Sequence, residues 1–310
     1  MRQRFRNLAL TWFGLLSACL GLLAACAPAL APGVGAGVAE AGALESRLAE
    51  VVDDLRPRTP NYDQPKGPLY TGAHAPASPA TPPDDLVVVA YNLRYAEAIE
   101  QAIEALQAVP PLPEADFLLL QEMDAAGVDA LATALGYDYV YYPASVAEDG
   151  DDFGNAILSR WPLVEPAKII LPGLHPLTGQ QRIATRAVAR VGGRDVVLYS
   201  VHIETATAPP ALREEQMAAV LADVPPDAEA VIIGGDFNTV TDQGVATLGE
   251  QFAAGEVALL TDGLGPTLMR FDRPIAPADH ILGRGFKLVE AGVLRDVTAS
   301  DHFPVWVRLR

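Results

Sequence analysis

In the segment from Val231 to Val240, an apolar start is followed directly by polar residues that could bind a cation or move a proton. The segment reads V-I-I-G-G-D-F-N-T-V, and its β-branched start predicts a strand covered on both faces. Gly234 and Gly235 allow a tight turn or a close approach to a ligand. An extended chain would then point Asp236 and Asn238 in the same direction. A carboxylate can orient and deprotonate water or bind a hard cation, and a carboxamide can donate to an oxyanion.

The alternative interpretation of Asp236 and Asn238 is that both residues only shape a turn, where these residue types are common. Other apolar segments of the chain also end in an amide, an acid or an imidazole. These residues are Asn92, Glu122, His202, Asp279, Asp301 and His302. If the segments are strands that lie side by side, their polar ends form one cluster. Taken singly, Glu122 could instead cap a helix, and His202 could be a satisfied histidine at a strand end.

Hydrophobic patterning predicts the elements that must position these side chains. Strands are predicted at 86–91, 117–121, 137–142, 153–159, 184–191, 196–203 and 231–233, with a last strand after Pro304. The strands at 184–191 and 196–203 flank Gly192-Gly193, which predicts a hairpin. Helices are predicted at 96–109, 125–135 and 211–221, and an isolated amphipathic helix at 40–55.

Composition and charge narrow the classes of protein. The chain has 310 residues, 50% of them hydrophobic, which is enough for a sizeable core. Its net charge is −17, and three of its 22 basic residues, Arg2, Arg4 and Arg6, lie at the N-terminus. Such a surface repels polyanions, so a broad nucleic-acid groove is disfavoured unless bound divalent cations neutralise the site locally. The two cysteines, Cys19 and Cys26, provide neither a disulfide framework nor a Cys-rich zinc site for the main domain.

Changes in composition predict three segments. Residues 1–26 combine a basic start, an apolar run and L-A-A-C, the layout of a lipoprotein-type signal peptide. The small residues before Cys26 resemble a bacterial lipobox, which implies cleavage before Cys26 and its lipidation; an uncleaved anchor and plain secretion are the alternatives. Residues 27–83 are rich in Ala, Pro and Gly and predict a semi-extended spacer. Residues 84–310 are then the main domain, held outside the cytoplasm at a membrane.

Seven short motifs follow one another in the main domain: Y-N-L, L-L-Q-E, G-N-A-I-L-S, V-H-I-E, G-D-F-N, A-D-H-I-L and S-D-H-F-P-V. The ordered set resembles the endonuclease/exonuclease/phosphatase superfamily, including its deoxyribonuclease I-like and neutral sphingomyelinase-like branches. The resemblance covers residues 84–310 as a catalytic domain. It implies an α+β fold, a four-layer α/β/β/α sandwich of two mixed sheets flanked by helices. It also implies a divalent metal, usually Mg²⁺, with Mn²⁺ as the alternative.

The resemblance assigns roles to the clustered acids and amides. Glu122 is the expected metal carboxylate, with Asn92 and Asp301 as further metal residues, and Mg²⁺ would keep several waters. Asp236 would orient and deprotonate the attacking water. Asn238 would hold a phosphate oxygen of the substrate.

The resemblance also assigns roles to the histidines and to a second amide. His302 would donate to the phosphate, polarised by Asp279. His202 matches a histidine that can protonate a leaving group, and abasic-site endonucleases, which lack that histidine, are a poorer match. Asn155 matches an amide that braces the site and binds substrate.

Other polar residues stay outside the predicted site. Arg182 and Arg186 are interpreted as surface or ion-pair residues, and the acidic residues at 148–152 as a solvated turn. His280 stands where the family often has an aromatic residue, which leaves its contact with substrate open.

The expected activity is divalent-metal-dependent hydrolysis of a phosphoester, most of all a phosphodiester, by a membrane-tethered monomer. The acidic composition and the N-terminal lipid anchor favour a small or lipid substrate over long nucleic acid. Three alternatives remain: a secreted or tethered endonuclease, a non-catalytic surface binding module on the same fold, and a structural envelope lipoprotein. The last of these gives no reason for polar residues at so many strand ends.

Replacing Cys26 tests the predicted anchor. Because lipidation requires the cysteine, Cys26→Ser should move the protein from the membrane fraction to the soluble fraction in cells that process lipoproteins. Fractionation followed by immunoblotting measures this, and Cys19→Ser is the matched control that should stay with the membrane. Membrane association of Cys26→Ser equal to that of the unaltered chain would favour an uncleaved anchor.

Overall fold

The computed structural model describes residues 59–76 and 83–310, and two large mixed sheets dominate this part of the chain. The first sheet has seven strands, in the spatial order β1 (Tyr70–Gly72), β4 (Asp138–Val146), β5 (Asp152–Ser159), β3 (Phe117–Met123), β2 (Leu86–Asn92), β15 (Val305–Leu309) and β14 (Leu288–Val293). The second has six strands, in the order β10 (Ala258–Leu259), β13 (Asp279–Arg284), β9 (Val231–Asp236), β8 (Arg194–His202), β7 (Ile183–Val191) and β6 (Leu163–Ile170). A small hairpin, β11 (Leu268–Arg270) and β12 (Arg273–Ala276), follows β10 in the chain.

Helices cover the outer faces of both sheets. They are α1 (Ile99–Ala108), α2 (Ala125–Leu135), α3 (Pro210–Asp223) and α4 (Asp242–Ala253), with a short 3-10 turn at Leu112–Glu114. One apolar cluster packs α1 and α2 on the first sheet, another packs α3 and α4 on the second, and a third fills the space between the sheets. The predicted α+β four-layer sandwich is therefore confirmed.

Central strands are apolar on both faces because each sheet is covered on both sides. All seven residues of β2 and all six of β9 are buried, including the polar ends Asn92 and Asp236. The β7–β8 hairpin turns at the two predicted glycines, Gly192 and Gly193. Strands β2 and β3 are parallel, as are β8 and β9, so their carboxyl ends meet at one edge of the sandwich.

Two of the predicted helices have boundaries that differ from the structure. Helix α1 begins at Ile99 and not at the predicted residue 96. Residues Arg94 to Ala96 have left-handed φ angles of 42°, 54° and 51°, which a right-handed helix excludes. Helix α3 is longer than predicted at both ends. Helix α2 matches its prediction, since the Asp124 side chain accepts from the amide of Gly127 and Gly136 ends the helix at φ 68°.

The glycines of β9 serve the packing of the sheets. Both lie inside the strand, and neither forms a turn. A Cβ on Gly234 would lie 2.7 Å from Leu119 Cδ1 of the facing sheet, and a Cβ on Gly235 would collide with the carbonyl oxygen of Val201 on β8. The two glycines thus allow a close approach of other protein groups, not of a ligand.

Residues 59–76, predicted as part of the spacer, lie against the main domain. Strand β1 pairs with β4 and forms the edge of the first sheet. The buried ammonium of Lys168 donates to the carbonyl oxygens of Tyr62 and Gly67 at 2.8 and 2.7 Å. The Tyr62 hydroxyl donates to Asp152 at 2.7 Å. Composition suggested a spacer because Pro and Gly are frequent here, but the segment adds an edge strand that local pattern does not reveal.

The signal peptide predicted at 1–26 and the helix predicted at 40–55 lie outside the described residues. Within residues 59–76 and 83–310, none of the helices has the length and apolar character needed to span a bilayer.

Removing the Lys168 ammonium should loosen the docked segment. In Lys168→Met, two carbonyl oxygens lose their donor, which is expected to lower the free energy of unfolding by about 1–3 kcal/mol. Chemical denaturation measures the change, with Lys287→Met, which alters an exposed lysine, as the control. Equal stability of the two variants would contradict the proposed docking contact.

Candidate active site

Strand register in the second sheet places three of the predicted residues in one row. Asp236 at the end of β9 is paired with His202 of β8 on one side and with Asp279 of β13 on the other. Strand β13 is antiparallel to β9, so Asp279 opens its strand whereas Asp236 and His202 end theirs. All three side chains are buried.

The first sheet supplies Asn92 and Glu122 from the opposite side. The Asn92 amide nitrogen donates to Glu122 Oε1 at 3.1 Å and to Asp236 Oδ2 at 3.0 Å, which joins the two sheets. Glu122 sits in a bulge of β3 with φ 56°, a conformation that is strained for a glutamate and aims its side chain into the site. Burial raises the pKa of Glu122, partly offset by the hydrogen bond from Asn92.

Asp236 is the centre of the cluster. Its Oδ2 lies 3.5 Å from His202 Nε2 and 3.8 Å from His302 Nε2, and its Oδ1 accepts the backbone amide of Asn238 at 2.8 Å. Burial raises the pKa of Asp236 above the usual range of a carboxylate, although the nearby His302 favours the ionised form. A carboxylate with a raised pKa is a better base than a solvated one.

His302 is held from behind by a carboxylate. Its Nδ1 lies 2.8 Å from Asp279 Oδ2, which also accepts the hydroxyl of Thr267 at 2.6 Å. Burial alone would lower the pKa of His302, but Asp279 and Asp236 outweigh it and raise the pKa to about 10. His302 is therefore a cation at neutral pH and can donate from Nε2.

His202 has the opposite electrostatic environment. Its Nδ1 lies 3.3 Å from Nη1 of Arg182, and the ring lies 5.8 Å from that of Phe153. Burial, followed by the charges of Arg182 and His302, holds the pKa of His202 well below its usual value. The two histidines on either side of Asp236 thus differ in charge.

The local geometry of Asn238 differs from the extended segment predicted for it. Its φ is 49°, because the backbone turns so that its amide caps Asp236. Its side-chain nitrogen donates to the carbonyl oxygen of Ile203 at 3.0 Å. Asn238 is therefore beside the site, with its backbone N–H donating to Asp236 and its side-chain nitrogen donating to the backbone of Ile203.

Asn155, expected to brace the site and bind substrate, and Asp301, expected near the metal, both contact protein groups in this structure. The Asn155 amide donates to the carbonyl oxygens of Ile183 and Ser200 at 2.8 and 3.2 Å, which ties β5 to the facing sheet. Asp301 forms ion pairs with Arg270, and with Arg94 at 3.8 Å. Asn92 directs its amide nitrogen to the carboxylates, and its oxygen accepts the amide of Arg94 at 2.9 Å.

His280, which departs from the family pattern, is a structural residue. Its Nε2 lies 2.8 Å from the Thr239 hydroxyl and 2.8 Å from the carbonyl oxygen of Pro277, and the side chain is buried. It makes contacts that hold the loop after β9 rather than contacts with the cluster around Asp236.

The chemistry of the buried donors fits a divalent cation. One group of ligand atoms, from Glu122, His202 and Asp236, lies within 4.8 Å of one another. Of these, the two carboxylates supply the oxygen ligands that Mg²⁺ prefers, while the imidazole is the weaker match.

Sequence reasoning missed Arg182 and Thr267. Arg182, interpreted as a surface or ion-pair residue, does pair with Glu204 at 3.5 Å, but it is only 5% exposed and also contacts His202. The available signal was its position just before the predicted hairpin. Arg182 directly precedes β7, whose start pairs with the end of β8, where His202 lies. Thr267 lies in a loop without a readable motif and reaches Asp279 only through the fold.

A comparison with protein-family models matches residues 89–302 to the endonuclease/exonuclease/phosphatase family. The chain belongs to this family. Its members are phosphoesterases, nucleases and phosphatases among them, that depend on divalent metals. A search of curated protein sequences found no significant match.

Solved structures of the family share the fold. A protein from Beutenbergia cavernae is 24% identical, with a TM-score of 0.59, over 73% of this chain and 71% of that one. A mannosyl-6-phosphatase from Bacteroides thetaiotaomicron is 22% identical, with a TM-score of 0.56, over 73% and 99%. D. rerio TDP2, in a complex with a single-strand DNA product, is 20% identical, with a TM-score of 0.58, over 74% and 100%. The likeness at these identities concerns the fold.

Thr267→Val tests how the Asp279 carboxylate is held. The variant keeps the shape of the side chain but removes a hydroxyl that donates to Asp279 and accepts the amides of Ala278 and Asp279. The free energy of unfolding should fall by about 1–3 kcal/mol because buried polar groups lose partners. Denaturant unfolding measures this, with the exposed Thr298→Val as control. A Thr267→Val protein as stable as the control would show that these hydrogen bonds contribute little.

Proposed function

We propose that this family member is a divalent-metal-dependent phosphodiesterase acting on a small or lipid phosphodiester. The observation that carries the proposal is the position of Asp236 between two histidines, with its Oδ2 3.5 Å from one Nε2 and 3.8 Å from the other. A buried base flanked by donors suits attack by water on a phosphorus centre.

The cation belongs beside the acids of this cluster. Glu122 would hold the ion, with Asp236 next to it as the base, and we propose Mg²⁺ because a carboxylate oxygen is the ligand that this ion prefers. When bound, the ion supplies positive charge that offsets the negative charge of the phosphate.

The side chains of the cluster activate the attacking water and bind the phosphate. Asp236 orients the attacking water and accepts its proton, helped by the hydrogen bond of its Oδ1 to the amide of Asn238. His302, positively charged and fixed by Asp279, donates from Nε2 to a phosphate oxygen. His202 lies opposite, with its Nε2 also directed to the centre of the site.

The substrate class is supported by the charge of the chain. A net charge of −17 is unfavourable for a long polyanion and is compatible with a single phosphodiester at a neutralised site. Hydrolysis of single-stranded DNA would favour the nuclease alternative. Binding of phosphoesters without turnover would favour the non-catalytic module.

The proposed location is outside the cytoplasm, at a membrane, through a lipid on Cys26. This proposal is supported by the basic, apolar and L-A-A-C features of residues 1–26. It would bring the site to phosphodiesters at or near the lipid surface. We propose that the enzyme acts as a monomer.

Removal of the central base tests the proposed activity. Asp236→Asn should lower kcat for an aryl phosphodiester with Mg²⁺ by at least about 10²-fold, since the proton acceptor is lost. The same change leaves one of the two N–H groups that Asp236 accepts facing an amide donor and removes a negative charge beside His302, so the melting temperature should fall while the protein stays folded. Asp272→Asn, an exposed acid of the small hairpin, is the matched control.

Chelation provides the second arm of this test. EDTA should abolish turnover by the unaltered protein, and added Mg²⁺ or Mn²⁺ should restore it. Full turnover by Asp236→Asn, or turnover that persists after the metal is removed, would contradict the proposal.

A further inference from the structure

Arg182 is a buried cation directly behind one of the two central histidines. It precedes β7 at the edge of the sheet where the site lies, and it is 5% exposed. Its Nη1 lies 3.3 Å from His202 Nδ1, and its Nη2 lies 3.5 Å from Glu204 Oε1. Burying a guanidinium is costly, and a single weak pairing with Glu204 does not by itself explain its position.

The contact between Arg182 and His202 allows only one assignment of hydrogen-bond donor and acceptor. A guanidinium has only donors, so the imidazole nitrogen facing it must accept. Nδ1 of His202 therefore carries no proton, and the ring hydrogen of the histidine is at Nε2. That hydrogen faces the carboxylates of Asp236 at 3.5 Å and Glu122 at 4.0 Å.

Neighbouring groups hold the guanidinium and the imidazole in place. The Phe153 ring lies 5.6 Å from Arg182 Cζ in a cation–π arrangement and 5.8 Å from the His202 ring. Glu204 is fully buried, and its Oε1 also accepts the amide of Thr205 at 2.8 Å. The arrangement fixes both the plane and the tautomer of the histidine.

The other central histidine, His302, has an acceptor behind its Nδ1 instead of a donor. His302 has the carboxylate of Asp279 behind its Nδ1, so that nitrogen carries a proton. His202 has a donor behind the equivalent nitrogen. A carboxylate on one side and a guanidinium on the other thus give two rings that both face Asp236 through Nε2 but have different partners.

We propose that Arg182 is a positioning residue of the active site, which fixes His202 in the tautomer with its hydrogen at Nε2, directed to Asp236 and Glu122. Its effect on turnover rests on the proposed function, whereas the tautomer does not. An Arg182 that only stabilised the fold through Glu204 and Phe153 would leave the His202 tautomer unchanged when replaced.

The test combines histidine NMR with steady-state kinetics on the whole chain, with and without Mg²⁺. The five histidines are labelled with ¹⁵N, and the signals of His202 are assigned with His202→Gln. The unaltered protein should show a protonated Nε2 and an unprotonated, hydrogen-bonded Nδ1. In Arg182→Met, the Nδ1-protonated tautomer should appear, and kcat should fall about 10- to 100-fold with KM changed less than about threefold.

Two further variants separate positioning from folding. Arg182→Lys keeps a cationic donor and should retain the Nε2 tautomer with intermediate kcat. Arg186→Met, which removes an arginine paired with Asp223 at 2.9 Å, should change neither quantity. In the His202→Gln background, Arg182→Met should cost no further activity, since the residue it positions is gone.

The results that would contradict the role of Arg182 differ from those that would contradict the proposed function. A protonated Nδ1 on His202 of the unaltered protein, or an unchanged tautomer in Arg182→Met, would overturn the inference. The first result needs no variant to fold. If no phosphodiester is hydrolysed, the proposed function fails, but the NMR measurements still decide the role of Arg182.

Discussion

Burial of the Asp236 carboxylate is the constraint on which the rest of the site depends. A carboxylate removed from water loses several kcal/mol of hydration unless other groups replace it. Asn92 and the backbone amide of Asn238 donate to it, and both central histidines face it. These groups come from both sheets, so the two halves of the sandwich must meet at this edge for Asp236 to be accommodated.

The two histidines differ because their rear partners differ. With Asp279 behind it, His302 is stabilised as a cation; with Arg182 behind it, His202 is stabilised as a neutral ring. A site with two cationic imidazoles would repel its own members, and one with two neutral rings would offer less positive charge to a phosphate. The groups behind the histidines therefore determine what each ring can do.

Polar contacts between the sheets hold this edge in register. Asn155 reaches across to Ile183 and Ser200, and the Ser200 hydroxyl donates to the carbonyl oxygen of Leu120 at 2.8 Å while accepting from Gln121 at 2.9 Å. Gly234 lets the facing Leu119 approach β9 closely. Ser200 and Gly234 are paired two residues before His202 and Asp236, so these contacts help side chains from separate strands to meet within hydrogen-bonding distance.

The sequence by itself determined most strand and helix positions and the polar residues at strand ends, because apolar periodicity is a local feature. The four-layer sandwich came from the resemblance of its ordered motifs to a family. The sequence did not determine which atoms meet. The pairing of Asp301 with Arg270, the left-handed Asn238, the cross-sheet role of Asn155 and the contact of Arg182 with His202 all depend on strand register and on how two sheets face each other. Residues 59–76 joined the first sheet for the same reason, since an edge strand is defined by its neighbour. Contacts between residues far apart in the chain are set by tertiary packing, which short-range pattern does not encode.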